Sequence, residues 1–427
     1  MRKIIMRTHH HWYVIPVLLS LLCGREKSAP LLENNSKQNA AQDFSAHCDL
    51  FSAKAKHDTL HDWAKIYFSE SNYCEIALSK LETIQKLLND AYIQQIAVRI
   101  RGRGHSMNGS SLPRKGELLL YTDHIRHYQL ISPSEIIVGS GISILALQQW
   151  LGKRGYTLPI FNDGILAPSV GGYISASGIG TRSVDYGGFW ENVTYIKLID
   201  AQGTTHTVKR SDPDFKWIFG SMGQFGLIYE AGLKILATGS KPFTPSAGII
   251  TESWKDESEA QSRKHEFKKS RLIWFSVIAP DEKRDELHKD MQNLKKQYLS
   301  SIRFLPEYLW PIRNFNFTPP LFYPENKNLI CIGIWGYANP QETNLSETLL
   351  KLNDEVFRLI QKKTYYKRYI QAEPVRLDTD WKKYWGDTVY NEFMRLRTKY
   401  NPKGNVNPLC FENCSNVSAH SAGILQK

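Results

Sequence analysis

Cysteine is scarce in this chain, six among 427 residues, which excludes a scaffold stapled together by disulfides. No Cys-x-x-Cys pair meets a second such pair or a His pair, so no metal site of the zinc-finger type is expected. Long apolar runs are missing too: the run from Val14 to Gly24 is shorter than the roughly 20 residues a membrane-spanning helix needs. Acidic residues are the minority charge, 42 against 54 basic, leaving a net charge of +12. That excess would suit a polyanion, but it is concentrated in residues 1–30 (net +4) and 351–403 (net +6). No basic stripe interleaved with aromatics accompanies it, so a nucleic-acid partner is not expected. Glycine and proline, 28 and 19, are at ordinary levels, which excludes collagen-like and low-complexity chains. What remains is a globular chain whose length suggests two or three packed units.

The chain opens with Arg2 and Lys3, a His9-His10-His11 tract and the short apolar run, which together read as an export leader over residues 1–24. The expected location is secreted or periplasmic. Membrane anchorage is the alternative, and only through an uncleaved or lipidated leader, since Cys23 follows a weak lipoprotein-like box. Removal of the leader leaves five cysteines, an odd number, with the Cys410/Cys414 pair either bridged or incidental. Residues 25–58 read as a polar N-terminal segment, and folding is expected to begin near Trp63.

From there strands and helices alternate. Ser79 to Glu82 has the form of a capping box opening a helix with Leu81, Ile84, Leu87, Leu88 and Tyr92 on its apolar face. Strands are expected at 96–100, 118–121 and 135–139, then a helix capped by Ser143 and a hairpin of 192–200 with 204–209. Near residue 241 the texture shifts to charged helices between apolar strands, which suggests a second domain. Five prolines from Pro306 to Pro324, interleaved with aromatics, suggest an irregular loop. A helix ends at Asn401-Pro402, and no internal repeat is found.

The chemistry concentrates in glycine loops. Arg101-Gly-Arg-Gly-His-Ser106 follows a strand directly. Glycines there let a pyrophosphate approach the backbone, which predicts a nucleotide cofactor. It is not a dinucleotide-binding fingerprint of the Rossmann kind, because the third glycine and the following helix are absent. Gly139-Ser-Gly141 reads as a plain turn. His105, directly after the glycines, gains meaning from three further segments in order: Ser169-Val-Gly-Gly-Tyr-Ile-Ser175 with Ala176-Ser-Gly-Ile179, Gly220-Ser-Met-Gly-Gln-Phe-Gly-Leu-Ile228, and Tyr400-Asn-Pro-Lys-Gly-Asn-Val-Asn-Pro408.

Together these segments resemble the FAD-linked oxidases of the vanillyl-alcohol oxidase and p-cresol methylhydroxylase (PCMH) type, and most closely the cytokinin dehydrogenases. The resemblance covers roughly residues 60–240 and 364–411. It implies an α+β fold: a PCMH-type FAD-binding domain of two α+β subdomains (59–240, joined by a returning segment at 371–427) with an inserted α+β substrate domain at 241–370. It implies FAD bonded covalently through His105, with Gly102, Arg103, Gly104 and Ser106 around the pyrophosphate. Ser169, Gly172, Ser175, Ile179 and Ile228 fall on flavin-contacting positions. A second, cysteinyl attachment is not implied, because its position holds Ala167. Asp163, one residue farther upstream than in the cytokinin-type pattern, falls to the role of catalytic base; a plain Asp163-Gly164 turn is the other reading.

The chain departs from that pattern where a Pro-Gly-Gln is replaced by Pro408-Leu409-Cys410. Residues 241–363 carry no recognisable motif. The implied activity is hydride transfer from a small organic donor, with O2 or a quinone as acceptor. An alcohol, polyol or lactone oxidase on the same fold, and a non-catalytic basic envelope protein, are the competing readings.

Overall fold

A computed structural model describes residues 46–63, 67–69, 72–162, 168–180, 182–238, 250–251, 272–305, 308–339, 344–369, 381–408 and 423–424. The leader, Asp163, Ala167, Cys410 and Cys414 lie outside the described residues.

The fold is α+β and rests on three main sheets. In the first, the strand Leu118–Tyr121 lies between Tyr73–Ala77 and Val98–Arg101, parallel to both, and Lys54–Lys56 pairs antiparallel at the outer edge. Leu118, Leu119 and Leu120 are all fully buried, as the near-continuous apolar run of a central parallel strand requires. The helix Leu81–Ile93 covers this sheet with Ile84, Leu87, Leu88 and Ala91.

Its start differs from the sequence expectation. Lys80, not Ser79, is the N-cap, and it makes no side-chain cap. Thr83 Oγ1 donates to the Lys80 carbonyl at 2.8 Å, while the Ser79 carbonyl accepts from Tyr229. Glu82 therefore sits in the first turn, where its charge favours the positive helix end without reaching back to a capping serine.

Folding also begins earlier than Trp63. Cys48 and Cys74 form a buried disulfide, and Lys54–Lys56 pairs with Tyr73–Ala77. A polar segment is thus held by one covalent bridge and one edge strand, neither of which composition reports.

The second sheet has six strands, all antiparallel, in the order Thr205–Lys209, Val193–Ile199, Leu227–Lys234, Glu135–Gly139, His127–Ser132, Ile250–Thr251. Ser143 caps the helix Ile144–Gly152 as expected, its side chain accepting from Ala146 N–H.

The third sheet is built on Asn328–Ala338, paired with Leu272–Pro280 on one side and with Ile302–Phe304 and Tyr308–Arg313 on the other. Tyr308–Arg313 falls inside the expected irregular loop. Pro311 sits opposite Ile330 in a strand paired on one side only, the kind of position where sheets accept proline. The helices Arg284–Gln297 and Leu345–Lys362 belong to this half.

Asp387–Tyr400 is the last long helix. The chain after it returns to the first sheet, where Val406 bridges Val98 in parallel. Among the described residues no helix is long and apolar enough to cross a membrane.

Candidate active site

The four glycine-bearing segments, more than 300 positions apart at their extremes, meet around one cleft. The first enters as the strand Val98–Arg101 ends. Gly104 takes φ +65°, a conformation open mainly to glycine, and a Cβ there would lie 2.2 Å from Arg101 Nη2. The Arg101 guanidinium lies under the loop and donates to Ser111 Oγ at 3.0 Å and to the His61 carbonyl at 3.2 Å.

The second segment touches the first at Gly102, where a Cβ would fall 2.2 Å from Ser169 Oγ. That hydroxyl caps the short helix Val170–Ser175 by accepting from Gly172 N–H. The third segment docks on the second through Met222 N–H, which donates to the Ser175 carbonyl.

The fourth segment ties the rest together. Asn407 Oδ1 accepts from Ile100 N–H at 2.7 Å, its Nδ2 donates to the Gly223 and Met222 carbonyls, and its own N–H donates to the Val98 carbonyl. Beside it, the buried Arg99 makes a bidentate pair with Glu117 and donates to the Pro408 carbonyl at 3.1 Å. Such charge-assisted bonds fix orientation strongly.

Gly102, Arg103, Gly104, His105, Ser106, Ser169, Gly172, Ser175 and Ile228 line the cleft. Ile179 is set back from it: buried, with its carbonyl accepting from Tyr173 OH at 2.6 Å. Asp163 lies outside the described residues.

Other residues on the wall carry no sequence expectation. Ser140 is one, held there because Gly139 and Gly141 allow the backbone to press on residues 122–125; a Cβ on Gly141 would lie 1.8 Å from the Thr122 carbonyl oxygen. The Gly-x-Gly spacing was its signal. Asn407 is another, inside a motif but not singled out. Trp274 and Tyr369 close the opposite side, from the third sheet. Trp274 stacks on Trp335 with ring centroids 4.8 Å apart and lies 5.6 Å from Tyr369. Burial pushes the Tyr369 phenol well above its ordinary value, so it stays protonated.

The cleft suits an extended anion with an apolar end. Arg103 and His105 line it, and no carboxylate does among the described residues. Ser140 Oγ is buried there with no hydrogen-bond partner among the described residues, which is the state of a group shaped to receive a ligand. Glycines at 102, 104, 171 and 172 leave side-chain-free wall for a phosphate to approach. These features fit a dinucleotide.

Comparison with known proteins agrees. Residues 74–209 match the family of the FAD binding domain. Cytokinin dehydrogenase 1 of Arabidopsis thaliana is 27% identical over 255 residues, 58% of this chain and 40% of that protein. The mitochondrial D-lactate dehydrogenase (cytochrome) of the same plant is 24% identical over 163 residues, 36% of this chain and 28% of that protein. An uncharacterized oxidoreductase of the fasciation locus of Rhodococcoides fascians is 24% identical over 157 residues, 36% of this chain and 35% of that protein. The matched stretch spans less than half the length of each of these relatives.

Proposed function

We propose that this chain, which carries a PCMH-type FAD-binding domain, is an FAD-dependent oxidoreductase of the cytokinin dehydrogenase kind. It holds the cofactor covalently through His105 and oxidises a small organic donor. The observation that supports this most is the convergence of the four segments on one cleft without a described carboxylate, with His105 on its wall. In this reading residues 59–240 and 371–427 form the cofactor domain and 241–370 the substrate domain, except that the strands Lys54–Lys56 and Ile250–Thr251 complete the sheets of the cofactor domain.

Bound FAD supplies a hydride acceptor, which no protein side chain provides. The chain's own residues do the rest. Gly102, Arg103, Gly104 and Ser106 would hold the pyrophosphate. Ser169, Gly172, Ser175, Ile179 and Ile228 would hold or back the ring system, and the unpaired Ser140 hydroxyl would bond to it. Trp274 and Tyr369 exclude water and orient the donor, and Asp163 would take a proton from its amine or hydroxyl. O2 or a quinone takes the electrons on, and the basic leader sends the enzyme to the periplasm or the exterior.

The relation to D-lactate dehydrogenase favours a second reading, oxidation of a hydroxy acid or alcohol on the same frame. Anaerobic titration of the loaded protein separates the two. Bleaching of the flavin band by N6-substituted adenines but not by D-2-hydroxy acids or simple alcohols is expected. Bleaching by hydroxy acids or alcohols alone would overturn the amine reading in favour of the second.

A further inference from the structure

The close-packed glycines fix the backbone path beside His105, but the two side-chain torsions of its imidazole remain to be set. Yet the His105 ring is held from behind. The Trp63 indole stacks on it, ring centroids 5.2 Å apart and planes 27° from parallel. Trp63 N–H donates to the Ser106 carbonyl at 3.2 Å, and Arg101, beneath the same loop, donates to the His61 carbonyl. The indole also packs on the buried Met107, together with Trp274, Trp335 and Tyr337. Trp63 is not among the residues lining the cleft. Of the lining residues, His105 is the one its ring stacks on.

We propose that Trp63 is a positioning residue for flavin attachment, its stacked indole holding the His105 imidazole in the orientation from which a ring nitrogen bonds to the FAD 8α carbon. This rests on the covalent reading above. In the attachment one C–N bond forms while a C8α–H bond and the imidazole N–H bond break. The two electrons and two protons released pass through the isoalloxazine to O2, giving hydrogen peroxide. The reacting atoms must approach to about 3–3.5 Å in line, and displacement by about 1 Å can cost about 100-fold in rate. The stacked indole, whose backbone N–H is tied to the Ser106 carbonyl and whose ring packs on Met107, restricts that freedom.

The test follows attachment itself rather than turnover. Full-length apoprotein is mixed with FAD in air, samples are denatured at intervals, and flavin fluorescence remaining on the polypeptide is read after gel electrophoresis. Attachment in Trp63→Leu is expected to be slower by about tenfold or more, and in Trp63→Phe, which keeps a flat ring, to stay within about threefold of wild type. Non-covalent FAD affinity, measured in a His105→Ala background, is expected to be the same with and without the Trp63→Leu substitution. Attachment at the wild-type rate in Trp63→Leu overturns the proposal. So does an equal slowing in Trp63→Phe, or a loss of non-covalent affinity as large as the loss in rate, since Trp63 would then act on FAD directly. If wild type itself attaches no flavin, the covalent reading fails and this inference falls with it.

Discussion

The two walls of the cleft are made differently. One is largely backbone: the segments at 101–106, 169–175, 220–228 and 400–408 approach closely, with Gly102 against Ser169, Met222 N–H on the Ser175 carbonyl, and Asn407 bonded to Ile100 and Gly223. The other is side chain: Trp274 projects from a regular strand, and Tyr369 follows directly on the short strand Lys367–Arg368 that pairs with it. A wall built of backbone tolerates almost no substitution and leaves a spelling in the sequence. A wall built of side chains on a sheet can change its residues without disturbing the frame, and that freedom suits the part of the site that meets the substrate.

The sharpest way to break this contrast is to add a methyl group at the tight turn that carries Ser140 to the cleft. Gly141→Ala places a Cβ 1.8 Å from the Thr122 carbonyl oxygen; backbone must move, and a loss of about 3 kcal/mol or more is expected in urea unfolding. An alanine tolerated there at under about 1 kcal/mol would mean the approach is not a constraint.

That rigidity explains what was legible. His105 and the glycines around it were readable because each motif reports a local backbone demand, and Ser143 because a cap is a local event. The disulfide of Cys48 was not, since nothing in the spacing of the cysteines selects Cys74. The Tyr308–Arg313 strand was masked by prolines that an edge position tolerates. Trp274 was unreadable because a strand residue looks the same whether its side chain meets core or ligand, and Tyr369, just past a two-residue strand, carries no motif.

A second effect sits in the six-stranded sheet beneath the glycine segments. Burial alone would raise the Glu230 carboxyl, but hydrogen bonds from His127 and Lys197 outweigh it and bring it down to about 2. Its folded value lies below its unfolded one, so its contribution is complete above about pH 4.5 and is lost as pH falls toward 2. Urea midpoints between pH 6 and pH 3 should fall less steeply in Glu230→Gln than in wild type; equal slopes would remove Glu230 from the acid response.

Asn407→Ala tests the tie between tail and loops. It leaves Ile100 N–H buried without its acceptor and frees the Gly223 carbonyl, so a loss of about 2 kcal/mol is expected, together with weaker FAD retention. Unchanged FAD retention would show that the tail braces the fold but not the cleft.

Trp274→Leu acts on the other wall and should be the mildest. Stability and FAD content are expected to stay near wild type, while KM for the donor rises about tenfold, equivalent to about 1.4 kcal/mol. Loss of FAD without a change in KM would erase the distinction between the walls.

The central claim is that the converging segments hold FAD through His105. The most direct measurement is to express the full chain, precipitate it in acid, and read flavin absorbance in the pellet for wild type and for His105→Ala. The flavin is expected to remain with wild-type polypeptide and to pass into the supernatant from His105→Ala. Flavin released from both would contradict the covalent bond, and flavin absent from both would contradict the cofactor.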